Sequence, residues 1–351
     1  MATSWWPNCC VWCRCRDAWM GDEVRECRPE HREGPASSSS GFLATPGMTT
    51  PHASGITPTL AELIALRALV AGRRGARRGS HGVHGQAMSR QRGRGMEYAE
   101  SREYAQGDDA RHIDWRLTAR SGRTHTKLFQ AERERLTLIV ADTAPALYFG
   151  TRVRFKSVQA ARAGALAAWI AVRDGDRVAA LRGSRSEAPV APASGPRGAL
   201  RVLDALVRWY ARPPGEDVGL ATALDHARHV LRPGSRLLVL ADPASIAAVP
   251  AERWSALALH HDAFALLLTD PLERTPPQAR LPFASTQGGR IELGLDTAAT
   301  RQRWREEFTV PLESTLELLR TRGVRAMELS GSAPSEAWLP MLDRPRGMAV
   351  R

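Results

Sequence analysis

A cluster of acidic side chains within one charged segment is the first place in this sequence where chemistry could occur. Asp108, Asp109, His112 and Asp114 lie close together, and such groups can bind a metal ion or transfer protons. The segment around them, residues 96–135, contains nearly as many arginines as carboxylates. Because a nearby arginine favours the ionised carboxylate, this composition is typical of ion pairs that fix a turn. We therefore interpret the cluster as structural, with a partner-binding face, rather than as catalytic.

Two further carboxylates follow apolar runs that are typical of buried strands. Residues 136–140 form one such run, which leads to Asp142, and residues 236–241 form another, which ends at Asp242. In open α/β sheets, ligands bind beyond the carboxyl ends of the strands. The sequence therefore predicts that these carboxylates lie at the ligand-binding edge of a sheet.

The elements that would position these groups alternate between strands and helices. Strands are predicted at residues 136–142, 176–181, 236–241, 263–268 and 324–329. Helices are predicted at residues 154–173, 200–210, 220–231 and 298–320, with a break at Pro311, and a short helix is predicted to end at residue 259. Such alternation favours an α/β fold in which helices cover both faces of a mostly parallel sheet. A capping box at residues 59–62 predicts a further helix before this domain.

Composition divides the chain into five parts. They are a disordered extension (1–47), a helix with a basic loop (48–95), the charged segment (96–135), an α/β domain (136–330) and a C-terminal tail (331–351). All five cysteines fall in the extension, for which Met48 is an alternative start. Cys10, Cys13, Cys27 and His31 have the spacing of zinc ligands, but no periodic apolar pattern predicts a folded module around them.

Charge and absent motifs narrow the classes of function. The net charge of +12 is compatible with nucleic acid or another acidic partner, but we interpret it as a solvated arginine-rich surface. The basic loop at 73–94 contains no aromatic residue on which a base could stack. The sequence contains no phosphate-binding P-loop, G-x-G-x-x-G, H-E-x-x-H or G-x-S-x-G motif. It also contains no apolar run of the roughly 18–20 residues that a membrane helix requires.

The alternative to a binding protein is a metal-dependent hydrolase or nucleic-acid-binding protein that uses the acidic cluster and the basic loop.

The charged segment resembles the signature of the bacterial family called domain of unknown function 58. The pattern is G-x-E, then R-x-Y-x-x-GD-D-x-R-x-IDW-x-x-(S/T)AR, then K and E. It is matched at Gly95, Glu97, Arg102, Tyr104, Gly107, Asp108, Asp109, Arg111, Ile113, Asp114, Trp115, Ala119, Arg120, Lys127 and Glu132. The resemblance continues through FGTR at 149–152, Lys156 and GDRV at 175–178.

The resemblance implies a fold similar to von Willebrand factor A domains, which are Rossmann-like. Their metal-ion-dependent adhesion site reads D-x-S-x-S after the first strand, with a distant threonine and aspartate, and usually holds Mg²⁺ through oxygen ligands. The residues at the corresponding positions of this chain are Asp142, Ala144, Ala146, Thr222 and Asp242. Since a methyl group cannot ligate a metal, we expect a degenerate site that binds no metal, or Mg²⁺ only weakly.

The resemblance also implies a partner. Proteins of this kind are often encoded beside MoxR-type AAA+ ATPases, so we expect a non-enzymatic adaptor for such an ATPase. The absence of cysteine from Met48 onward fits a reducing cytoplasm, which is the location that we expect. We expect the partner-binding residues to be those of the signature: Glu97, Arg102, Tyr104, Asp108, Asp109, Arg111, Asp114, Trp115, Arg120 and Lys127. Within the segment we expect Tyr104 and Trp115 to be packed, with Trp115 as a buried anchor.

Overall fold

The computed structural model describes residues 55–72, 97–130, 135–284 and 290–343. Predictions for the extension at 1–47 and the basic loop at 73–94 lie outside the described residues. The chain divides into two compact units: a smaller unit, Arg78–Arg135, and a larger unit, Met1–Arg77 with Leu136–Arg351.

Two short helices open the described part of the larger unit: α1 (Leu60–Ala65) and α2 (Arg67–Ala71). The predicted cap is present, because the Thr59 hydroxyl accepts a hydrogen bond from the Glu62 N–H at 3.3 Å. The helical pattern is interrupted at Leu66, which ends α1 and begins α2. The indole N–H of Trp169 donates to the Leu63 carbonyl at 3.0 Å and so ties α1 to the core of this unit.

The smaller unit is a two-stranded antiparallel ribbon with a long connection. Its elements are β1 (Glu97–Glu103), a 3₁₀ turn (Ala110–His112), α3 (Trp115–Ser121) and β2 (His125–Gln130). The register places Ser101 opposite Lys127 and Glu103 opposite His125. Gly122 ends α3 with φ of 69°, a left-handed conformation that glycine adopts without strain.

A six-stranded sheet forms the centre of the larger unit, in the order β10-β7-β6-β3-β4-β5. Its strands are β3 (Leu136–Ala141), β4 (Arg177–Arg182), β5 (Val190–Ala193), β6 (Arg236–Ala241), β7 (Asp262–Thr269) and β10 (Arg325–Ser330). All neighbouring strands pair in parallel except β4 and β5. The prediction of a mostly parallel α/β sheet is confirmed. The edge strand β5 lies in a stretch rich in serine, proline and glycine, for which the sequence predicts no strand.

Helices cover both faces of this sheet. They are α4 (Lys156–Asp174), α5 (Gly195–Tyr210), α6 (Gly219–Val230), α7 (Pro243–Ala247), α8 (Ala251–His260) and α11 (Val310–Thr321). Ile139 of β3 belongs to one core with residues of α4 and α5. The alternating residues Leu138 and Val140 belong to a second core with residues of α6, α8 and α11. This alternation follows from the opposite directions of successive side chains along a strand.

Helix α4 is buried because small side chains let it approach its neighbours closely. A Cβ atom added at Gly164 would lie 2.8 Å from a Leu206 methyl carbon and 3.2 Å from a Leu240 methyl carbon.

In the described part of the chain, no helix combines the length and apolar character needed to cross a bilayer.

A third, smaller core lies beside the sheet. It packs around the hairpin β8 (Arg280–Ala284) and β9 (Arg290–Gly294) and the helices α9 (Pro271–Arg274) and α10 (Ala298–Trp304). The interruption predicted near Pro311 is a π-helical turn at Arg305–Thr309, and Pro311 lies in the first turn of α11. The predicted tail begins with residues that pack against the main core, including the buried Trp338, before α12 (Pro340–Asp343).

Candidate functional site

Asp108 fixes the first turn of the charged segment. Its Oδ1 atom lies 2.6 Å from Arg102 Nη2, and its Oδ2 atom accepts the Ala105 N–H at 3.0 Å. The Tyr104 hydroxyl donates to the Asp108 carbonyl oxygen at 3.2 Å. Gly107 adopts φ of 104°, which permits the tight reversal before the aspartate. This carboxylate is therefore held by groups of its own turn.

Asp109 and Asp114 each cap the element that follows them. Asp109 Oδ1 accepts the Arg111 N–H at 2.9 Å and so begins the 3₁₀ turn. Asp114 Oδ1 accepts the Leu117 N–H at 3.1 Å at the start of α3, and its other oxygen accepts the Ser101 hydroxyl at 3.1 Å. The Leu117 hydrogen bond holds the pKa of Asp114 below its ordinary value.

These carboxylates serve separate local structures and do not converge on one point. Among the described residues, no group of three or more histidine, cysteine, aspartate or glutamate side chains is arranged to hold a metal ion. The arrangement is that of a capped and ion-paired scaffold.

Trp115 differs from the expectation that it would be a buried anchor. Its side chain is 71% exposed, and Tyr104 is 38% exposed. The capping contact of Asp114 fixes the backbone where α3 begins, but it does not provide a surface for the indole to pack against. Arg116 and Arg120, on the same helix, are also exposed. The smaller unit therefore has an exposed tryptophan on the same helix as two exposed arginines.

The remaining predicted partner-binding residues are spread over the same unit. Arg111 is exposed in the 3₁₀ turn, Lys127 is half-buried in β2, and Glu97 lies in β1 opposite Gln130. Arg123 pairs with Glu103 at 2.8 Å on the exposed ends of the ribbon.

The second candidate site lies at the carboxyl edge of the large sheet. Aspartates follow three of the parallel strands: Asp142 after β3, Asp242 after β6 and Asp270 after β7. Asp142 and Asp242 are in contact at this edge, because Asp142 Oδ2 accepts the Asp242 N–H at 3.1 Å. The other Asp142 oxygen accepts the Ala144 N–H at 3.0 Å.

Lys156, the first residue of α4, supplies a buried cation at this edge. Its side chain is 1% exposed, and Nζ donates to Asp242 Oδ2 at 2.8 Å and to Glu273 Oε1 at 2.7 Å. Glu273 is held in turn by the capping box of α9, where its Oε2 atom accepts the Asp270 N–H at 2.8 Å. We call Lys156, Asp242 and Glu273 the ion triad.

Burial and charge perturb the pKa values of these groups in different ways. Burial raises the pKa of Asp142 to about 6, although hydrogen bonds from Ser245 and two backbone N–H groups oppose it. Burial lowers the pKa of Lys156, but the two carboxylates outweigh it and hold the pKa above its ordinary value. Burial raises the pKa of Glu273, against the attraction of Lys156. We take the ammonium as charged, because it is in contact with two carboxylates.

The metal-site residues expected from the resemblance have other contacts. Ala146 lies in a 3₁₀ turn (Pro145–Leu147), and the Thr222 hydroxyl donates to the Val218 carbonyl at 3.2 Å within its own helix. Sequence reasoning missed Glu273 and the role of Lys156. The D-P-x-E sequence at 270–273 is a local signal for the cap of α9, but it does not connect Glu273 to Lys156.

These features define an α/β protein with a mostly parallel sheet whose carboxyl edge is occupied by an internal ion triad. The family model described as "Protein of unknown function DUF58" matches residues 100–311, and the chain belongs to this family. Uncharacterized proteins of Mycobacterium bovis and Mycobacterium tuberculosis are each 29% identical to it over 223 residues, which is 62% of this chain and 69% of the relative. No solved structure matches it.

Proposed function

We propose that this protein is a non-enzymatic adaptor that binds a protein partner through its charged segment. The observation that carries the proposal is the 71% exposure of Trp115 on a helix that also presents arginines. Tryptophan and arginine are enriched among the residues that dominate binding energy at protein interfaces. The capped aspartates hold this helix in place, which lowers the entropic cost of presenting it to a partner.

The partner that we propose is a MoxR-type AAA+ ATPase in the cytoplasm, as the family resemblance implies. The net charge of +12 favours association with an acidic surface on that partner. We further propose a von Willebrand factor A-like fold for the larger unit. Its parallel sheet, its helices on both faces and its strand-end aspartates are compatible with that fold.

The strand-edge site fits an adaptor without a bound metal. Both Asp142 oxygens accept backbone N–H groups, and the buried ammonium of Lys156 already provides a positive charge beside Asp242. We propose that this ammonium replaces the magnesium ion of a metal-ion-dependent adhesion site.

Co-precipitation with the MoxR-type ATPase from the same cell tests the proposed partner. Trp115→Ala should weaken binding by about thirtyfold or more, because an aromatic hot spot that a partner covers typically contributes about 2 kcal/mol or more. The melting temperature should be nearly unchanged, because the side chain is exposed. Leu259→Ala is the matched control, since Leu259 is 74% exposed in the larger unit.

Equal capture of the ATPase by wild type and Trp115→Ala would contradict the proposed binding surface. Hydrolysis of a phosphodiester that Asp109→Asn abolishes without changing the melting temperature would favour the metal-dependent hydrolase instead. Salt-dependent binding to DNA or RNA would favour the nucleic-acid alternative.

A further inference from the structure

A cavity of about 660 Å³ opens beside the strand edge of the larger unit. Its volume lies within the range of about 300–1,000 Å³ that is common for small-molecule sites. Residues that follow β7 and β10 line it, among them Pro271 and Ser332. The cavity therefore lies beyond the carboxyl ends of two adjacent parallel strands, where α/β sheets bind ligands.

The wall of the cavity is mainly apolar, with hydroxyl groups between the apolar side chains. Leu272, Leu281 and Phe283 contribute the apolar surface, and Thr275 and Ser332 contribute hydroxyls. Leu272 and Phe283 also belong to the third core, so this wall is fixed by packing. An occupant would bury an apolar body here and could satisfy hydrogen bonds along it.

Carboxylates near the cavity are already paired. The hydroxyl and N–H groups of Thr151 both donate to Asp270, the latter at 2.8 Å, and Glu273 is held by Lys156 at 2.7 Å. Glu328 Oε1 accepts the Thr269 hydroxyl at 2.7 Å. These contacts satisfy the carboxylate oxygens by hydrogen bonding, through the ammonium of Lys156 at Glu273 and through uncharged donors at Asp270 and Glu328.

The two arginines that line the cavity differ in their pairing. Arg274 lies 3.3 Å from a Glu313 oxygen and 3.5 Å from a Glu328 oxygen. Arg152 is exposed and makes no ion pair with any residue that the structure describes. Of the two arginines that line the cavity, Arg152 is therefore the one without an ion pair to a described carboxylate.

The FGTR sequence holds Arg152 in this position. Phe149 is buried in the third core, and Thr151 is tied to Asp270. Between them, Gly150 lies so close to the following backbone that an added Cβ would be 2.5 Å from the Arg154 carbonyl oxygen. The loop is thus fixed on either side of Arg152, while the guanidinium itself is exposed.

We propose that this cavity binds a ligand with an apolar body and a carboxylate, and that Arg152 recognises the carboxylate. An apolar wall beside one arginine that makes no ion pair with the described residues matches the apolar body and the carboxylate of such a ligand. Two sources have this chemistry: a free small carboxylic acid, and the C-terminus of a polypeptide that ends in an apolar residue. The inference is independent of the partner proposed for Trp115.

Isothermal titration calorimetry of the full chain tests the proposal with matched probes. The small acid is 4-phenylbutyrate, with its amide as the neutral counterpart. The peptide is acetyl-Ala-Leu-Phe with a free carboxylate, with the C-terminal amide as its counterpart. We expect one acid to bind at a single site, and its amide to bind about tenfold more weakly or worse, because hydrogen bonds to charged groups are the stronger ones. The acid that binds more tightly identifies the source.

Three variants locate the binding. Arg152→Gln should weaken binding of the acid about tenfold while leaving binding of the amide unchanged. Ser332→Trp should weaken binding of both, because the larger side chain narrows the cavity. Arg228→Gln is the control, since Arg228 is exposed on α6. Thermal melting should show that all three remain folded. Failure of both acids to bind, equal binding of acid and amide, or acid binding that Arg152→Gln leaves unchanged would each overturn the proposal.

Discussion

Removing the ammonium group of Lys156 should lower the free energy of unfolding, because two carboxylates would then be buried without a cation. Lys156→Met keeps an unbranched apolar side chain but leaves Asp242 and Glu273 without their cation. Removing one partner of a buried ion pair typically costs about 3–5 kcal/mol. Since whole domains are stable by about 5–15 kcal/mol, this loss would be a large part of the free energy of unfolding.

The destabilisation should depend on pH with a defined sign. Burial already raises the pKa of Glu273, and Lys156→Met removes the cation that opposes this rise. A carboxyl with a higher pKa in the folded chain favours the fold below its unfolded pKa. That contribution is lost as the pH rises through the folded value. The loss of stability in Lys156→Met should therefore be larger at pH 7.5 than at pH 5.

Urea unfolding of wild type and variant at both pH values measures these differences directly. Lys127→Met is the matched control, because Lys127 is the only other lysine and is half-buried in the smaller unit. We expect it to cost less than about 1 kcal/mol. Adding Asp242→Asn and Glu273→Gln to Lys156→Met removes both buried charges and should recover much of the lost stability. A loss below about 1 kcal/mol in Lys156→Met, equal at the two pH values, would refute the reasoning.

A second substitution at Lys156 tests whether its ammonium group occupies the place of a metal ion. Lys156→Ala leaves space beside Asp242 and Glu273, so millimolar Mg²⁺ should raise the melting temperature of this variant but not of the wild type. Micromolar Mg²⁺ binding to the wild type that disappears in Asp142→Ala would show that the strand edge is a metal site after all.

Two other residues allow equally direct tests. The pKa of Asp142 is raised by burial to about 6, so stability should fall by about 2 kcal/mol relative to Asp142→Asn as the pH rises from about 4 to 6. Urea unfolding of both proteins across this range measures the difference, and parallel pH profiles would contradict it. Gly150→Ala should lower the melting temperature by several degrees, because its Cβ would lie 2.5 Å from the Arg154 carbonyl oxygen and 2.7 Å from Phe155 Cα. Gly72→Ala is its control, since a Cβ there meets nothing within 4 Å, and equal melting of the two variants would show that the loop adjusts freely.

The central strands could be predicted from the sequence because they are buried on both faces. A parallel strand in that environment is a continuous apolar run, and every residue of β3 and β6 is buried. The strands that the sequence did not reveal are β1, β2, β5, β8 and β9. Strand β5 has only four residues at a sheet edge and β8 contains Pro282, so neither forms such a run.

The candidate sites were harder to predict from the sequence. Local contacts do not determine which side chains are exposed, and the other contacts join residues that are far apart in sequence. Tryptophan is usually a largely buried residue, so the residue type predicted burial for Trp115. Its exposure depends on which other residues cover α3, and the local capping contact does not determine that. The partners of Lys156 lie 86 and 117 residues away along the chain. No spacing rule connects such residues, and only the parallel order of the strands brings them to one edge.

The position of α9 links the ion triad to the proposed ligand cavity. Glu273 faces Lys156 in the interior, while Pro271 and Arg274 of the same short helix line the cavity. The indole N–H of Trp304 donates to the carbonyl oxygens of Leu272 and Glu273, at 3.1 and 3.3 Å, and so holds the helix from a third side. Because the lysine is covalently attached to α4, this cation cannot dissociate as a metal ion would. The triad therefore holds this part of the cavity wall without a metal ion, and the recognition that we propose belongs to the exposed residues Arg152 and Trp115.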